Sequence, residues 1–215
     1  MRLEHYIPVG KERLRCGYTT GTCAAAAARG AAEYLLTGRR PAAVQILTPA
    51  GITVTAELED WSRGSDWARC AVRKDGGDDP DVTDGLLIYA QVNLRSGEGI
   101  VIDGGPGVGR VTRPGLDQPV GQAAINSTPR RMIEAECSAA LQASGSPGGL
   151  LVTILVPEGP KLAKKTFNPR LGIEGGISIL GTSGIVRPMS EAALVDSLYL
   201  EMDQHHARGG RDVLI

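Results

Sequence analysis

Aromatic residues make up only 4% of this 215-residue chain, with a single phenylalanine. So few rings argue against a platform on which bases stack, and a net charge of −1 argues against a polycation that seeks nucleic acid. Histidine is scarce too, at His5, His205 and His206. The four cysteines, Cys16, Cys23, Cys70 and Cys137, form no Cys-x-x-Cys pair. A zinc site needs three or four clustered ligands, so none is expected, and the cysteines read as reduced, buried, small hydrophobes. Gly-x-Ser-x-Gly, Ser-x-x-Lys and Walker A sequences are missing, which removes the common nucleophile and phosphate-loop classes. No run of about 18 apolar residues occurs, and the first fifteen residues hold no apolar core of the kind a secretory signal needs. The expectation is a cytoplasmic protein with neither a membrane nor a nucleic-acid partner.

Glycine, by contrast, is abundant at 29 residues and clusters in turns, which points to backbone approaching a ligand closely. Residues 23–36 read as a helix: alanines favour it, Thr20 or Thr22 would cap it, and Gly38 would end it. Residues 44–58 read as a hairpin turning at Pro49-Ala50-Gly51. Strands are expected at 67–73, 86–94, 99–103 and 150–156, and a helix over 123–143 with Pro129 near its start. This mixed order of strands and helices predicts an α+β domain over residues 1–172. From residue 173 the pattern becomes strand (177–180), glycine turn, long helix (190–207) and strand (212–215). That is the start of a small α/β, doubly wound, Rossmann-like second domain over 173–215, and two parallel strands make no stable layer alone, so the domain reads as incomplete. The uncovered apolar edge at 213–215 would invite self-association.

Several stretches carry candidate chemistry. Thr19, Thr20, Gly21 and Thr22 open the first helix, where free N–H groups and hydroxyls suit an anion; an ordinary helix cap explains them equally well in kind. The loop 74–85 holds five aspartates, at 75, 78, 79, 81 and 84, against Lys74, for a local charge near −4. No register of it fits an EF-hand. Its aspartates are either turn formers that bond their own backbone, or chemical groups meeting something cationic or neutral, because a polycarboxylate would be repelled. Residues 104–109 imitate a dinucleotide fingerprint, but Val111, Thr112 and Pro114 follow and no helix starts, so a tight turn is expected there. Lys161, Lys164, Lys165 and Arg170 form an arm without an acid, and with Arg110, Arg113, Arg130 and Arg131 they could clamp carboxylates. The turn Gly181-Thr182-Ser183-Gly184 follows a strand and precedes a helix, as a nucleotide-like ligand would need.

Taken in order, the blocks at residues 15–28, 74–85, 104–116, 121–133 and 160–190 resemble the cobalt-precorrin-5B C-1-methyltransferase family, also called CbiD, of anaerobic cobalamin biosynthesis. The resemblance spans about residues 15–194. It implies a methyltransferase that moves the methyl of S-adenosylmethionine to C-1 of cobalt-precorrin-5B and gives cobalt-precorrin-6A, with the cobalt carried by the substrate and no metal site of the protein's own. It also implies that family members continue past this stretch. On this reading Asp75, Asp78, Asp79 and Asp81 are the catalytic candidates. Thr19, Thr20, Gly21, Thr22, Arg130, Lys164, Lys165 and Arg170 would bind substrate, and Gly181, Thr182, Ser183 and Gly184 would bind the cofactor. Alternatives are a non-catalytic fragment that binds the tetrapyrrole, or an unrelated anion-binding α+β enzyme. Three positions depart from the family pattern: Ala123 and Ser127 stand where proline is expected, and Ser183 where threonine is expected. The first two would loosen the backbone before the second helix.

Overall fold

The computed structural model describes residues 2–190 and, beyond them, Val195, Leu198, Tyr199, Met202, Asp203, His205, His206 and Gly209. In chain order the elements are β1 (Tyr6–Val9), β2 (Glu12–Arg15), β3 (Gly17–Tyr18), α1 (Thr20–Thr37), β4 (Ala43–Leu47), β5 (Thr53–Glu57), β6 (Glu59–Arg63), β7 (Trp67–Arg73), β8 (Leu87–Arg95) and β9 (Gly99–Gly104). There follow β10 (Gly107–Val108), β11 (Arg110–Val111), α2 (Ser127–Ser144), β12 (Gly149–Leu155), α3 (Gly159–Ala163), β13 (Ile173–Glu174), β14 (Gly176–Ile177) and β15 (Ile185–Val186). No helix among the described residues is long and apolar enough to cross a membrane.

A five-stranded sheet in the order β6-β7-β8-β12-β9 forms the frame. Its pairings are antiparallel except β12 with β9, which run parallel. A parallel neighbour needs a crossover, and α2 supplies it between β9 and β12. Period-two alternation buries Ile88, Ala90 and Val92 of β8 and Leu150, Val152 and Ile154 of β12. Helix α1 packs on β7 and β8 and against α2. Its run Ala24 to Ala28 has zero exposure, because small side chains let the helix axis come close to the sheet. At Gly30 a Cβ would run into Leu58.

Capping follows the expected chemistry one residue early. Thr19 is the N-cap of α1 and accepts from the Thr22 N–H at 3.2 Å, while Gly38 ends the helix in the left-handed region at φ 73°. At α2 the cap residue Asn126 makes no side-chain bond. Asp117 substitutes for it from a neighbouring loop, accepting from the Ser127 main-chain N–H at 3.0 Å and hydroxyl at 2.6 Å. A proline at 127 would have no N–H to give. Here the helix entry is fixed by a side-chain clamp, which answers the loosening expected from Ser127.

The last third pairs back onto earlier segments. Strand β13 pairs with β11, β14 with β10 and β15 with β3, all of them segments before residue 112. The residues expected to open a separate domain at 173 are therefore hydrogen-bonded into the first one as far as Val186. The strand expected over 177–180 is reduced to Gly176–Ile177 plus a single bridge from Ile179 to Ile125. The described residues between 195 and 206 are helical, in line with the expected helix. The rest of that helix and the expected strand 212–215 lie outside the described residues.

Candidate functional site

A cavity of about 550 Å³ opens where the Asp-rich loop, the N-terminus of α1, the segment 166–171 and the segment 177–186 meet. Its volume falls in the range usual for small-molecule sites, and its wall is mainly apolar with a few converging polar groups, as such sites usually are. Val82, Phe167 and Leu180 stand at its edge, between 45% and 59% exposed. The polar wall includes Thr19, Thr20, Asp81, Asn168, Arg170 and Ser178. Buried Ser178 donates to Asn168 Oδ1 at 3.2 Å, which fixes the amide side chain against the wall.

Lys74 also borders the cavity and pairs with Asp81. Its side chain is 1% exposed and its ammonium sits 2.6 Å from Asp81 Oδ2. The other carboxylate oxygen of Asp81 accepts from the Thr83 N–H at 2.7 Å and the Thr83 hydroxyl at 2.6 Å. Burial pushes the Asp81 carboxyl up, and Lys74 with the Thr83 bonds more than reverses this, so the group lies below the usual carboxylate range. Behind it, burial raises the Cys23 thiol to about 12, which keeps it inert.

Each of the remaining aspartates of the loop accepts a hydrogen bond from within the chain. Arg15 grips Asp75 with two bonds of 2.6 and 2.7 Å, and Gly77 donates to the same carboxylate. Burial acts to raise Asp75, but these partners win and its carboxyl is held low. Asp78 accepts from the Arg15 N–H at 2.7 Å, Asp79 from the Met189 N–H at 3.2 Å and Asp84 from the Gly76 N–H at 2.7 Å. The loop thus finds its cations within the chain, in Arg15 and Lys74. Of the four catalytic candidates, only Asp81 reaches the cavity wall.

The threonine turn and the glycine turn are brought together, against each other. The Thr20 hydroxyl accepts from the Leu180 N–H at 2.9 Å and donates to the Leu180 carbonyl at 3.2 Å. The Gly21 N–H also donates to Leu180, and the Thr22 hydroxyl donates to the Gly184 carbonyl at 2.7 Å. A Cβ at Gly181, whose φ is 134°, would collide with Thr19, so glycine is there for close packing. Thr182 is exposed, and Ser183 bonds Ile185 and receives the Ala50 N–H. None of residues 181–184 lines the cavity.

Among the expected carboxylate clamps, Arg170 lies on the cavity wall with its guanidinium 5.9 Å from the Phe167 ring centre. Lys164 and Lys165 are exposed on the turn that leads into that wall. Arg130 points elsewhere: it donates to the Ile125 and Ile102 carbonyls at 2.8 and 3.0 Å, tying α2 to the sheet edge. Sequence reasoning passed over Lys74, Asn168 and Ser178. A lone lysine at the head of a loop with five aspartates was the available signal.

A protein-family model described as CbiD matches residues 7–188. Two curated relatives named cobalt-precorrin-5B C(1)-methyltransferase are each 51% identical to the chain. That of Thermoanaerobacter sp. (strain X514) aligns over 212 residues, 99% of this chain and 57% of the relative. That of Alkaliphilus oremlandii (strain OhILAs) aligns over 213 residues, 99% of this chain and 58% of the relative. The 1.9 Å crystal structure of the cobalamin biosynthesis protein (cbiD) from Archaeoglobus fulgidus superposes with a TM-score of 0.65 at 35% identity, covering 93% of this chain and 64% of that one. The chain therefore spans under three fifths of the length of these curated relatives.

Proposed function

The chain belongs to the CbiD family, and from that premise we propose that it serves the methylation of cobalt-precorrin-5B at C-1, giving cobalt-precorrin-6A, with S-adenosylmethionine as methyl donor. One observation carries the reading. The threonine block, the Asp-rich block and the 160–190 block, far apart in sequence, converge on one cavity through Thr20, Asp81, Arg170 and Leu180. The substrate is a large, flat tetrapyrrole with many carboxylates. Apolar walls suit its ring, and Arg170, with Lys164 and Lys165 outside, suits its acid groups.

S-adenosylmethionine brings a methyl group on a positively charged sulfur, so the transfer needs alignment and exclusion of water more than acid–base chemistry. This chain's share is that alignment. Asp81 is the catalytic candidate retained at the wall. Asp75, Asp78 and Asp79 hold the loop that carries it. The glycine turn 181–184 does not line the cavity, and its Ser183 and Gly184 carbonyls are taken by Ala50, Thr19 and Thr22; no step is assigned to it. Thr19 to Thr22 shape the wall through Leu180 rather than offering free hydroxyls. The doubly wound second domain stays part of the proposal.

Calorimetric titration with a corrin heptacarboxylic acid tests the substrate half. Micromolar binding that weakens about tenfold in Arg170→Ala, the worth of one charge-assisted contact, is expected. No binding overturns the proposal. Incubation with cobalt-precorrin-5B and S-adenosylmethionine, read by mass for one added methyl, tests the chemistry. Binding without that gain would leave the chain a tetrapyrrole-binding piece of the enzyme.

A further inference from the structure

Lys74 leaves the sheet where the Asp-rich loop begins. Its N–H donates to the Leu86 carbonyl at 2.8 Å and its carbonyl accepts from the Gly85 N–H at 2.9 Å, so the two ends of the loop are pinned together. From that neck its side chain runs under the loop to Asp81 at the middle. A loop that needed only closure could use an apolar pair, since burying an ammonium is costly and a buried ion pair is often replaced by neutral groups without loss. The charge at Lys74 has a second consequence at the cavity. Both residues border the cavity, but the Asp81 side chain is 21% exposed there and that of Lys74, whose ammonium offsets it, only 1%.

Resting on the reading that this cavity admits a tetrapyrrole polycarboxylate, we propose that Lys74 is a specificity-determining residue. It cancels the charge of Asp81, so that the Asp-rich loop can border a polyanionic ligand. Without Lys74 the wall would present a bare carboxylate to the ligand's own carboxylates, across a partly water-excluded cavity where screening is weak. With it, the pair is neutral overall and still offers a fixed hydrogen-bond acceptor. Other charged groups are Asp75, already held by Arg15, and Asp84, whose main-chain N–H bonds the Asp81 carbonyl, while Arg170 shares the cavity wall. Cys23, close behind on α1, stays a neutral thiol. The depressed Asp81 carboxyl agrees with an ionised but offset group.

The experiment compares two probes, a corrin heptacarboxylic acid and its fully methyl-esterified form, by calorimetry at pH 7 and fixed ionic strength. Lys74→Met should lose about tenfold or more in affinity for the acid and change little for the ester, because only the acid meets like charge. Lys74→Arg should keep the acid's affinity. The double variant Lys74→Met/Asp81→Asn, which removes both charges, should restore it to within about threefold of the parent, since the two charges are directly coupled. Equal losses for acid and ester, persisting in the double variant, would make Lys74 only a loop staple and overturn the inference. An unchanged acid affinity in Lys74→Met would overturn it as well. Circular dichroism on each variant separates loss of fold from loss of binding, and the double variant keeps the test alive if Lys74→Met alone does not fold. A parent chain that binds neither probe would sink the tetrapyrrole reading itself, and this inference with it.

Discussion

The sheet with its two helices and the ring of loops around the cavity are held together by different physics. In the sheet, Ile88, Val92, Val152 and Ile154 share one continuous apolar core with the alanine face of α1. The stabilising energy there is spread over many weak, non-directional contacts. In the ring, strands β10, β13, β14 and β15 are two residues long. Shape there rests on single directional bonds: Thr20 with Leu180, Thr22 with Gly184, Arg15 with Asp75, Lys74 with Asp81. The difference separates two roles. The core sets whether the chain folds, and the ring sets the shape and charge of the cavity.

The sharpest way to break that division is at the seam. Gly107 has φ 83°, and a Cβ there would penetrate the Val156 main-chain carbonyl at the end of β12. Neither neighbour is a flexible side-chain end, so Gly107→Ala combines backbone strain with a clash and should cost more than about 4 kcal/mol. Loss of soluble, cooperatively melting protein is expected. A variant melting within a few degrees of the parent would show that the ring gives way easily at its base. Within the core, Ile154→Ala removes a side chain with zero exposure. It should cost about 2 to 5 kcal/mol by denaturant unfolding, with corrin affinity unchanged at temperatures where the variant is folded. In the ring, Thr20→Val should cost less, about 1 to 3 kcal/mol for leaving the Leu180 N–H unpaired, yet it should weaken corrin binding measurably because Leu180 is part of the wall. Should Ile154→Ala alter affinity more than Thr20→Val does, the separation of roles is wrong.

Legibility in the sequence followed the same divide. Helix α1 announced itself by its alanines and cap residues, the β4–β5 hairpin by its turn, and strands β7, β8, β9 and β12 by their short runs, all of them local signals. The tight turn at residues 104–109 was readable because no helix-forming residues followed it. The ring was not readable in this way. Its partners stand far apart, Arg15 and Asp75 by 60 residues and Thr20 and Leu180 by 160. No pattern within one window tells which cation an aspartate meets, so the Asp-rich loop looked like a net negative surface when two of its charges are offset by cations of the same chain. Cap positions erred for a similar reason. Thr19, Thr20 and Thr22 are chemically equivalent as caps, and the choice is made by Gly181 packing on Thr19 from the far end of the chain. The N-terminal hairpin β1–β2 and strand β6 were also missed, since their burial is only partial and the alternation is weak.

The smallest effect sharpens the comparison on its electrostatic side. The core is indifferent to pH near neutrality, whereas the ring contains carboxylates held low by partners, Asp75 and Asp81 among them. A carboxyl depressed in the folded state contributes stability that is full above its unfolded value, near 3.8, and is lost as pH falls through the lower folded value. Glu136 on α2 works the other way, because burial raises it, so the bare pH profile of the parent mixes signs. The difference between parent and Arg15→Met isolates Asp75. In the variant the main cause lowering Asp75 is gone and burial dominates, so its carboxyl rises. The variant should be less stable than the parent at pH 6, and the gap should narrow as pH falls from the variant's raised Asp75 value through the parent's depressed one, below 3.8, beneath which Asp75 is protonated in both. Urea midpoints for the two proteins at pH 6, 5, 4 and 3 check this. A gap that stays constant across the series would mean that Arg15 supports the loop by packing and main-chain contact alone, and that the ring is less electrostatic than its bonds suggest.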